Sequence, residues 1–282
     1  MINIGFHLSV AGAFSAAAEE AQKEGYGCFQ VFVTSSRSWK SKGMDDGDAE
    51  RFKEINRMSG ARPFAHMPYI CNPSAPEKAT FEKGVGLMVE NIERCRRLGI
   101  AGAVAHMGSH KGKGIKYGIE RVSEALGMAL DAADGAGILL ENGAGYRNSV
   151  GSRFEEIGEI MDTVSSRRVG LCMDTCHAFA AGYEMRGDGA VKALAGEIRE
   201  YIGMQKLSLV HLNDSKYQLA SGLDRHWHIG EGEIGMEGFA SLFRNRDFSK
   251  GNFVLETPYK KEGDDRRNLK AAMEAIALAK GR

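Results

Sequence analysis

The stretch RVGLCMDTCHAFA, residues 168–180, contains in miniature the pattern that decides the fold. Its apolar run VGLCM (169–173) is too short for a helix and lacks the polar alternation of a strand wetted on one face. It therefore reads as a strand buried on both faces. The run stops at Asp174, where a carboxylate suits the N-cap of a following helix and is equally a metal ligand. Outward from this point the pattern repeats. Upstream lie INIGF (2–6), CFQVF (28–32), RPFA (62–65), GAVA (102–105) and GILL (137–140); downstream lie LSLV (207–210) and NFVL (252–255). Amphipathic stretches separate them, among them AAAEEAQKEG after the first run, FEKGVGLMVENIERCRRLG (81–99), RFEEIGEIMDTV (153–164) and NLKAAMEAIALAK (268–280). Their apolar residues recur three and four apart, the helical period.

Strands alternating with helices imply a parallel sheet. Eight such units in 282 residues, close to the about 250 of an α/β barrel, predict one closed (β/α)8 barrel spanning residues 1–282. An open doubly wound sheet would usually carry a glycine-rich phosphate turn after its first strand, and HLSVAG (7–12) is not one.

Composition sets bounds on function. Hydrophobic residues are 43% and charged ones 26%, ordinary for a globular chain. No apolar run approaches the about 18 residues of a membrane span, and the amino terminus lacks the positive segment of a secretory signal. The five cysteines (28, 71, 95, 172 and 176) form no CxxC pair and read as buried, reduced thiols of a cytoplasmic protein. Net charge is zero, so any binding of nucleic acid has to come from a local patch.

The residues that end the apolar runs carry the chemistry. The third to eighth runs are followed by His66, His106, Glu141, Asp174, His211 and Glu256. In a parallel barrel all strands aim their carboxyl ends at one face, so six ligand-type side chains converge there. His177 lies just beyond Asp174, and Asp224 and His226 sit on one side of an extended D-R-H segment. A lone histidine ending a strand is usually a structural hydrogen-bonder and a lone carboxylate an N-cap, but such explanations become improbable when applied independently to six consecutive strands. Imidazole mixed with carboxylate suits zinc, manganese or iron better than magnesium or calcium. Nine ligands exceed one tetrahedral ion and fit a cluster of two or three. Such clusters are typical of phosphodiester hydrolysis.

Three stretches, ENGAG (141–145), DTCHAFAAGY (174–183) and HLNDSK (211–216) followed by DRHWHIGEGEIG (224–235), identify a family resemblance. Over essentially its whole length the chain resembles the endonuclease IV family of apurinic/apyrimidinic endonucleases. That resemblance implies a xylose-isomerase-like TIM barrel and three zinc ions per chain, with manganese or iron able to substitute at some sites. It assigns His66, His106 and Glu141 to one ion. Glu141, as a bridge, joins Asp174, His211 and Glu256 at the second, and His177, Asp224 and His226 hold the third. It also implies a catalytic role for Glu141, holding the metal pair, and for Glu256, orienting the attacking water. The reaction it implies is hydrolysis of the phosphodiester 5′ to an abasic site in base-excision repair, leaving a 3′-hydroxyl and a 5′-deoxyribose phosphate.

The implied partner is double-stranded DNA with abasic sites or blocked 3′ ends, met by a cytoplasmic monomer. Arg37, Tyr69 and Ile70 match family positions that enter the minor groove, where an arginine beside apolar wedges kinks a duplex. Lys40, Lys42, Lys111, Lys113, Lys116, Arg147, Lys216 and Arg225 fall in the same loops as the ligands, while Glu19, Glu20, Glu155, Glu156 and Glu159 fall on helices. A neutral chain can thus present one cationic face. His7 and His110 are candidates for orienting ligands or phosphate, and His228 has no assigned role. Gly143 departs from the threonine or serine usual in the family. The rival readings are a metal-dependent sugar isomerase or epimerase on the same barrel and a zinc-dependent binder of damaged DNA without cleavage.

Overall fold

The computed structural model describes residues 3–35, 39, 43–259 and 261–281. Eight strands form one parallel sheet: β1 (Asn3–Phe6), β2 (Cys28–Phe32), β3 (Arg62–His66), β4 (Gly102–His106), β5 (Gly137–Glu141), β6 (Val169–Asp174), β7 (Leu207–His211) and β10 (Asn252–Leu255). The sheet order β1-β10-β7-β6-β5-β4-β3-β2 brings the first two strands to opposite ends of the list. They meet there through a parallel bridge between His7 and Gln30, with the Leu8 N–H donating to the Gln30 carbonyl at 2.8 Å. The sheet is a barrel. Two short strands, β8 (Asp214–Ser215) and β9 (His226–Trp227), pair antiparallel above its carboxyl face.

Nine helices are described: α1 (Phe14–Glu24), α2 (Asp46–Ser59), α3 (Lys78–Leu98), α4 (Ile115–Ala132), α5 (Phe154–Val164), α6 (Thr175–Ala180), α7 (Asp188–Tyr201), α8 (Gly235–Arg244) and α9 (Asp264–Lys280). α3 shows why they cover the barrel. Phe81, Val85, Met88, Ile92 and Cys95 recur at four- and three-residue steps and are all buried. Each large apolar side chain so placed contributes about 1.5–3 kcal/mol. α1 has no capping side chain of its own at Ala13. Asp48 of α2 takes that role, accepting from the Phe14 N–H at 2.7 Å and the Ser15 N–H at 3.0 Å. At the opposite end of the molecule Arg168 donates to the carbonyls of Leu130, Ala133 and Ala136, closing the carboxyl terminus of α4. All five cysteines are free and buried.

The barrel interior is a separate apolar cluster of Cys28, Phe64, Val104, Leu139, Cys172, Leu209 and Val254. A strand turns every second side chain to the same side. Two residues further along each of these strands stand Gln30, His66, His106, Glu141, Asp174, His211 and Glu256, and His7 supplies the eighth position beside Gln30. One pleat period converts a dry core into a polar ring at the carboxyl mouth.

Candidate metal centre

Glu141 is the hub of the mouth. One carboxylate oxygen, Oε2, lies 3.2 Å from His66 Nε2 and 3.1 Å from His106 Nδ1. The other, Oε1, lies 3.0 Å from His211 Nδ1 and 3.4 Å from His177 Nδ1. Its two oxygens therefore face two different groups of imidazoles. Glu256 Oε2 stands 3.3 Å from His211 Nδ1. On the far side His177 Nε2 approaches Asp224 Oδ1 at 3.2 Å, and His226 Nε2 approaches Asp224 Oδ1 at 3.5 Å and Asp174 Oδ2 at 3.4 Å. All nine ligand candidates meet at this mouth.

Hydrogen bonds to the outer nitrogens decide which ring nitrogen of each histidine faces inward. His66 Nδ1 donates to the Met67 carbonyl at 2.7 Å, His177 Nδ1 to the Asn142 carbonyl at 3.1 Å, and His226 Nδ1 to the Glu256 carbonyl at 3.0 Å. The inward Nε2 atoms of His177 and His226 are buried and make no hydrogen bond. A buried polar atom without a partner is costly, and these two sit among carboxylates. Zinc–nitrogen and zinc–oxygen bonds of about 2.0–2.1 Å place tetrahedral donors about 3.4 Å apart. The gaps of 3.0–3.5 Å measured above are of that size. Among the described residues five groups of donor atoms lie within 4.8 Å of one another: His66 with His106 and Glu141; His66 with His211 and Glu256; Glu141 with Asp174, His211 and Glu256; Asp174 with His177 and His226; and Cys176 with Asp224 and His226. The residues present fit a cluster of divalent ions.

The electrostatics agree. Burial disfavours the charge on Glu141, but the imidazoles of His106, His211 and His66 outweigh it and hold the carboxyl well below its ordinary range. Burial likewise opposes ionisation of Asp224, yet His177 and His226 bring it down to about 2. His177 shows the converse: despite burial, Asp174, Asp224 and Glu141 raise it to about 10. His106, where burial dominates, falls to about 4.

A layer of amides holds the ligands. Asn142 brackets the Asp174 backbone, accepting from its N–H at 2.8 Å and donating to its carbonyl at 3.2 Å. Asn213 donates to Asp174 Oδ2 at 2.7 Å and accepts from the Glu256 N–H at 2.8 Å. Asp174 meets both expectations at once: Oδ1 caps α6 by accepting from the His177 N–H at 2.8 Å, while Oδ2 faces the cluster. Asp214, the buried first residue of β8, accepts from the backbone N–H groups of Ser215, Gly230, Gly232 and Ile234 at 2.8–3.0 Å. This explains the GEGEIG run: a Cβ on Gly232 would lie 2.3 Å from the Ser215 carbonyl oxygen.

The loop after β3 projects Tyr69, 62% exposed, with its ring 4.9 Å edge-on from His106. Ile70 is half-buried against the apolar core. Asn72 locks this loop to the next one by bonding both the Ser109 N–H and its carbonyl. The partner position, Gly108, has φ +76°, and a Cβ there would meet Asn72 Oδ1 at 2.0 Å. Arg37, Lys40 and Lys42 lie outside the described residues. Lys111, Lys113, Lys116, Arg147, Lys216 and Arg225 are all exposed, as are Glu19, Glu20, Glu155 and Glu159 on the helices. Glu156 departs from that description, accepting from the Gly151 and Ser152 N–H groups at the start of α5. A small recess of about 20 Å³ opens beside the ligand candidates, lined by Tyr69, Tyr146, Gly143 and Asp224 among others. A Cβ at Gly143 would meet nothing nearer than 3.6 Å, so a side chain has room at this position.

His7 Nδ1 lies 3.2 Å from Glu256 Oε1. His110 serves its own loop instead, its Nδ1 accepting from the Gly114 N–H at 3.0 Å. His228 pairs with Asn268, which also accepts from the Ile229 N–H. Gln30, Asn142, Asn213 and Asp214 are residues of the site that the sequence pattern does not single out. Gln30 has a visible signal: it is the one polar residue inside CFQVF.

The fold and this mouth define a xylose isomerase-like TIM barrel with a metal-type ligand cluster, and the profile of that family matches residues 18–279. A "Probable endonuclease 4" of Methanoculleus marisnigri is 41% identical over 97% of this chain and 99% of its own length. The crystal structure of endonuclease IV from Thermus thermophilus superposes with a TM-score of 0.87 at 33% identity, covering 98% of this chain and 99% of that one. A D-tagatose 3-epimerase-like protein, with a TM-score of 0.71 at 17% identity and 98% coverage of both chains, shares the fold alone. The chain belongs to the endonuclease IV family, and with it is an enzyme, a hydrolase of the endonuclease class.

Proposed function

We propose that this chain is a zinc-dependent apurinic/apyrimidinic endonuclease that hydrolyses the phosphodiester 5′ to an abasic site, leaving a 3′-hydroxyl and a 5′-deoxyribose phosphate. The observation that carries the reading is the spacing at the mouth, where Glu141 turns one oxygen to His66 and His106 and the other to His211, at 3.0–3.2 Å. His66, His106 and Glu141 would hold one ion; Glu141, Asp174, His211 and Glu256 a second; His177, Asp224 and His226 a third. Bound there, zinc supplies Lewis acidity that lowers the pKa of its water towards about 7 and draws charge from the phosphate.

The protein's own part is positioning. Glu141 fixes the spacing of the first two sites, and Glu256, held at both oxygens, orients the attacking water. Asp224, with its side chain 40% exposed, stands on the open side of the cluster where the scissile phosphate enters. Tyr69 and Ile70 would wedge into the minor groove with Arg37, while Lys111, Lys113, Lys116, Lys216 and Arg225 meet backbone phosphates. Among the described residues no helix is long and apolar enough to cross a membrane. A cytoplasmic monomer acting on duplex DNA is the corresponding cellular picture.

The test uses a duplex carrying one abasic analogue, with the purified protein before and after chelation. Nicking 5′ to the lesion, lost on chelation and restored by zinc, is the expected result, with about three zinc equivalents per chain. Glu256→Ala should fold and lose about 100-fold or more in rate. Nicking by that variant at a near-normal rate would refute the assignment, and one or two manganese ions without nicking would point to an isomerase.

A further inference from the structure

We propose that Gln30 is a positioning residue that sets two metal ligands at once, holding His211 in one tautomer and Glu256 in one carboxylate orientation. This inference rests on the endonuclease reading given above. Gln30 is fully buried on β2, at the seam where β1 and β2 close the barrel. A polar side chain is tolerated there only if both ends of its amide are satisfied. They are. Its Nε2 donates to Glu256 Oε1 at 2.6 Å and lies 2.9 Å from His7 Nδ1, and its Oε1 faces His211 Nε2 at 2.9 Å.

The direction of the amide follows from the chemistry of its neighbours. An ionised carboxylate only accepts hydrogen bonds, so the NH2 end of Gln30 must face Glu256. Its oxygen is then fixed towards His211, and His211 Nε2 must carry the proton. That leaves His211 Nδ1 as the nitrogen turned to the cluster, hydrogen-bonded to Glu141 Oε1 at 3.0 Å and 3.3 Å from Glu256 Oε2, and the atom that a metal ion would take in place of its proton. Glu256 is constrained by the same contact: Oε1 is engaged by Gln30 and by His7 at 3.2 Å, and Oε2 is turned towards the cluster. One neutral amide thus decides which nitrogen of one ligand and which oxygen of another are offered to metal. Among the described residues no other touches the outward faces of both.

Gln30→Met keeps length and volume while removing both hydrogen bonds. Gln30→Glu keeps an oxygen towards His211 but sets a second carboxylate against Glu256. Three measurements separate the roles: zinc affinity by competition with a chromophoric chelator, the visible spectrum of the cobalt-substituted protein, and kcat and KM on a duplex with one abasic analogue. For Q30M the expected result is zinc binding weakened about 10–100-fold at one site, an altered cobalt spectrum, and kcat lowered about 10–100-fold with KM within about twofold. Q30E should recover zinc affinity relative to Q30M while its kcat stays low. The proposal is overturned if Q30M keeps both zinc affinity and kcat within about twofold of wild type, or if only KM changes. Should Q30M fail to fold, a Q30E protein with wild-type kcat overturns it equally. If the wild-type protein binds zinc but does not nick the duplex, the endonuclease reading falls, while affinity and cobalt spectrum still decide the role of Gln30.

Discussion

Replacing Asp214 with alanine should cost more stability than removing any one of the candidate metal ligands, because its carboxylate organises backbone. Its two oxygens accept from four backbone N–H groups, those of Ser215, Gly230, Gly232 and Ile234, at 2.8–3.0 Å, with the Gly235 N–H at 3.3 Å besides. The side chain is fully buried. Hydrogen bonds to a charged acceptor are each worth about 1.5–3 kcal/mol, and a buried donor stripped of its partner costs about 1–3 kcal/mol. Water entering the vacated space will satisfy part of this, so a loss of about 4 kcal/mol or more is expected, in the tail of single-substitution effects.

The damage should spread in a defined direction. Asp214 and Ser215 pair with Trp227 and His226 across β8–β9, so the segment the carboxylate organises carries His226 and adjoins Asp224. Urea denaturation followed by circular dichroism gives the stability, and elemental analysis of the folded fraction gives the metal content. The expected pattern is a large fall in midpoint, with the ion proposed for His177, Asp224 and His226 lost first. A D214A protein within about 1 kcal/mol of wild type and carrying all its metal would refute the reasoning.

Two further substitutions test the frame away from the mouth. Asp48→Ala should cost about 1 kcal/mol at neutral pH by uncapping α1. Burial works against the charge of Asp48, but its bonds to Ser15 and Phe14 hold the carboxyl below its ordinary value. A depressed carboxylate stabilises above its unfolded pKa of about 3.9 and loses that contribution as pH falls through the folded value. The gap between wild type and D48A in urea midpoint should therefore close as pH drops below about 4; a gap that persists unchanged in acid would exclude the cap. Arg168→Met should cost about 2–3 kcal/mol, because four charge-assisted bonds at 2.6–3.3 Å to the end of α4 disappear together. A change in denaturation midpoint equivalent to less than about 0.5 kcal/mol would show that water replaces them.

Much of this architecture is legible in the sequence because a parallel barrel strand is dry on both faces and leaves a short apolar run. The residue ending each run is the one the mouth receives, so His66, His106, Glu141, Asp174, His211 and Glu256 can be located from the pattern alone. What stays hidden depends on contacts that leave no periodicity. Asp214 lies in a visible motif, but its task is to bind backbone N–H groups sixteen to twenty residues away, which no local pattern announces. His110 and His228 draw attention by residue type, yet one ties its own loop and the other pairs with α9. Gln30 looks like no more than one defect in an apolar run. Glu156 looks like a solvated helix charge because its bonds to Gly151 and Ser152 arise only once the chain turns into α5.

The shifts of His177 and Asp224 at the mouth share one cause, while that of His106 follows from burial. Glu141, Asp174, Asp224 and Glu256 bring four carboxylates into a small volume, two of them fully buried. Charges so placed must be compensated, since the cost of leaving them unpaired in a dry site exceeds the stability of an ordinary domain. Without metal, protons on histidine are the available cations, and this is why His177 rises to about 10 while Asp224 falls to about 2. The same lone pairs can take either a proton or a metal ion, so on the proposed reading each ion that binds would displace protons, and its binding energy would become part of the folding energy. An apolar barrel topped by carboxylates and imidazoles is thus a frame whose stability, on the proposed reading, depends on the same cations as its reactivity.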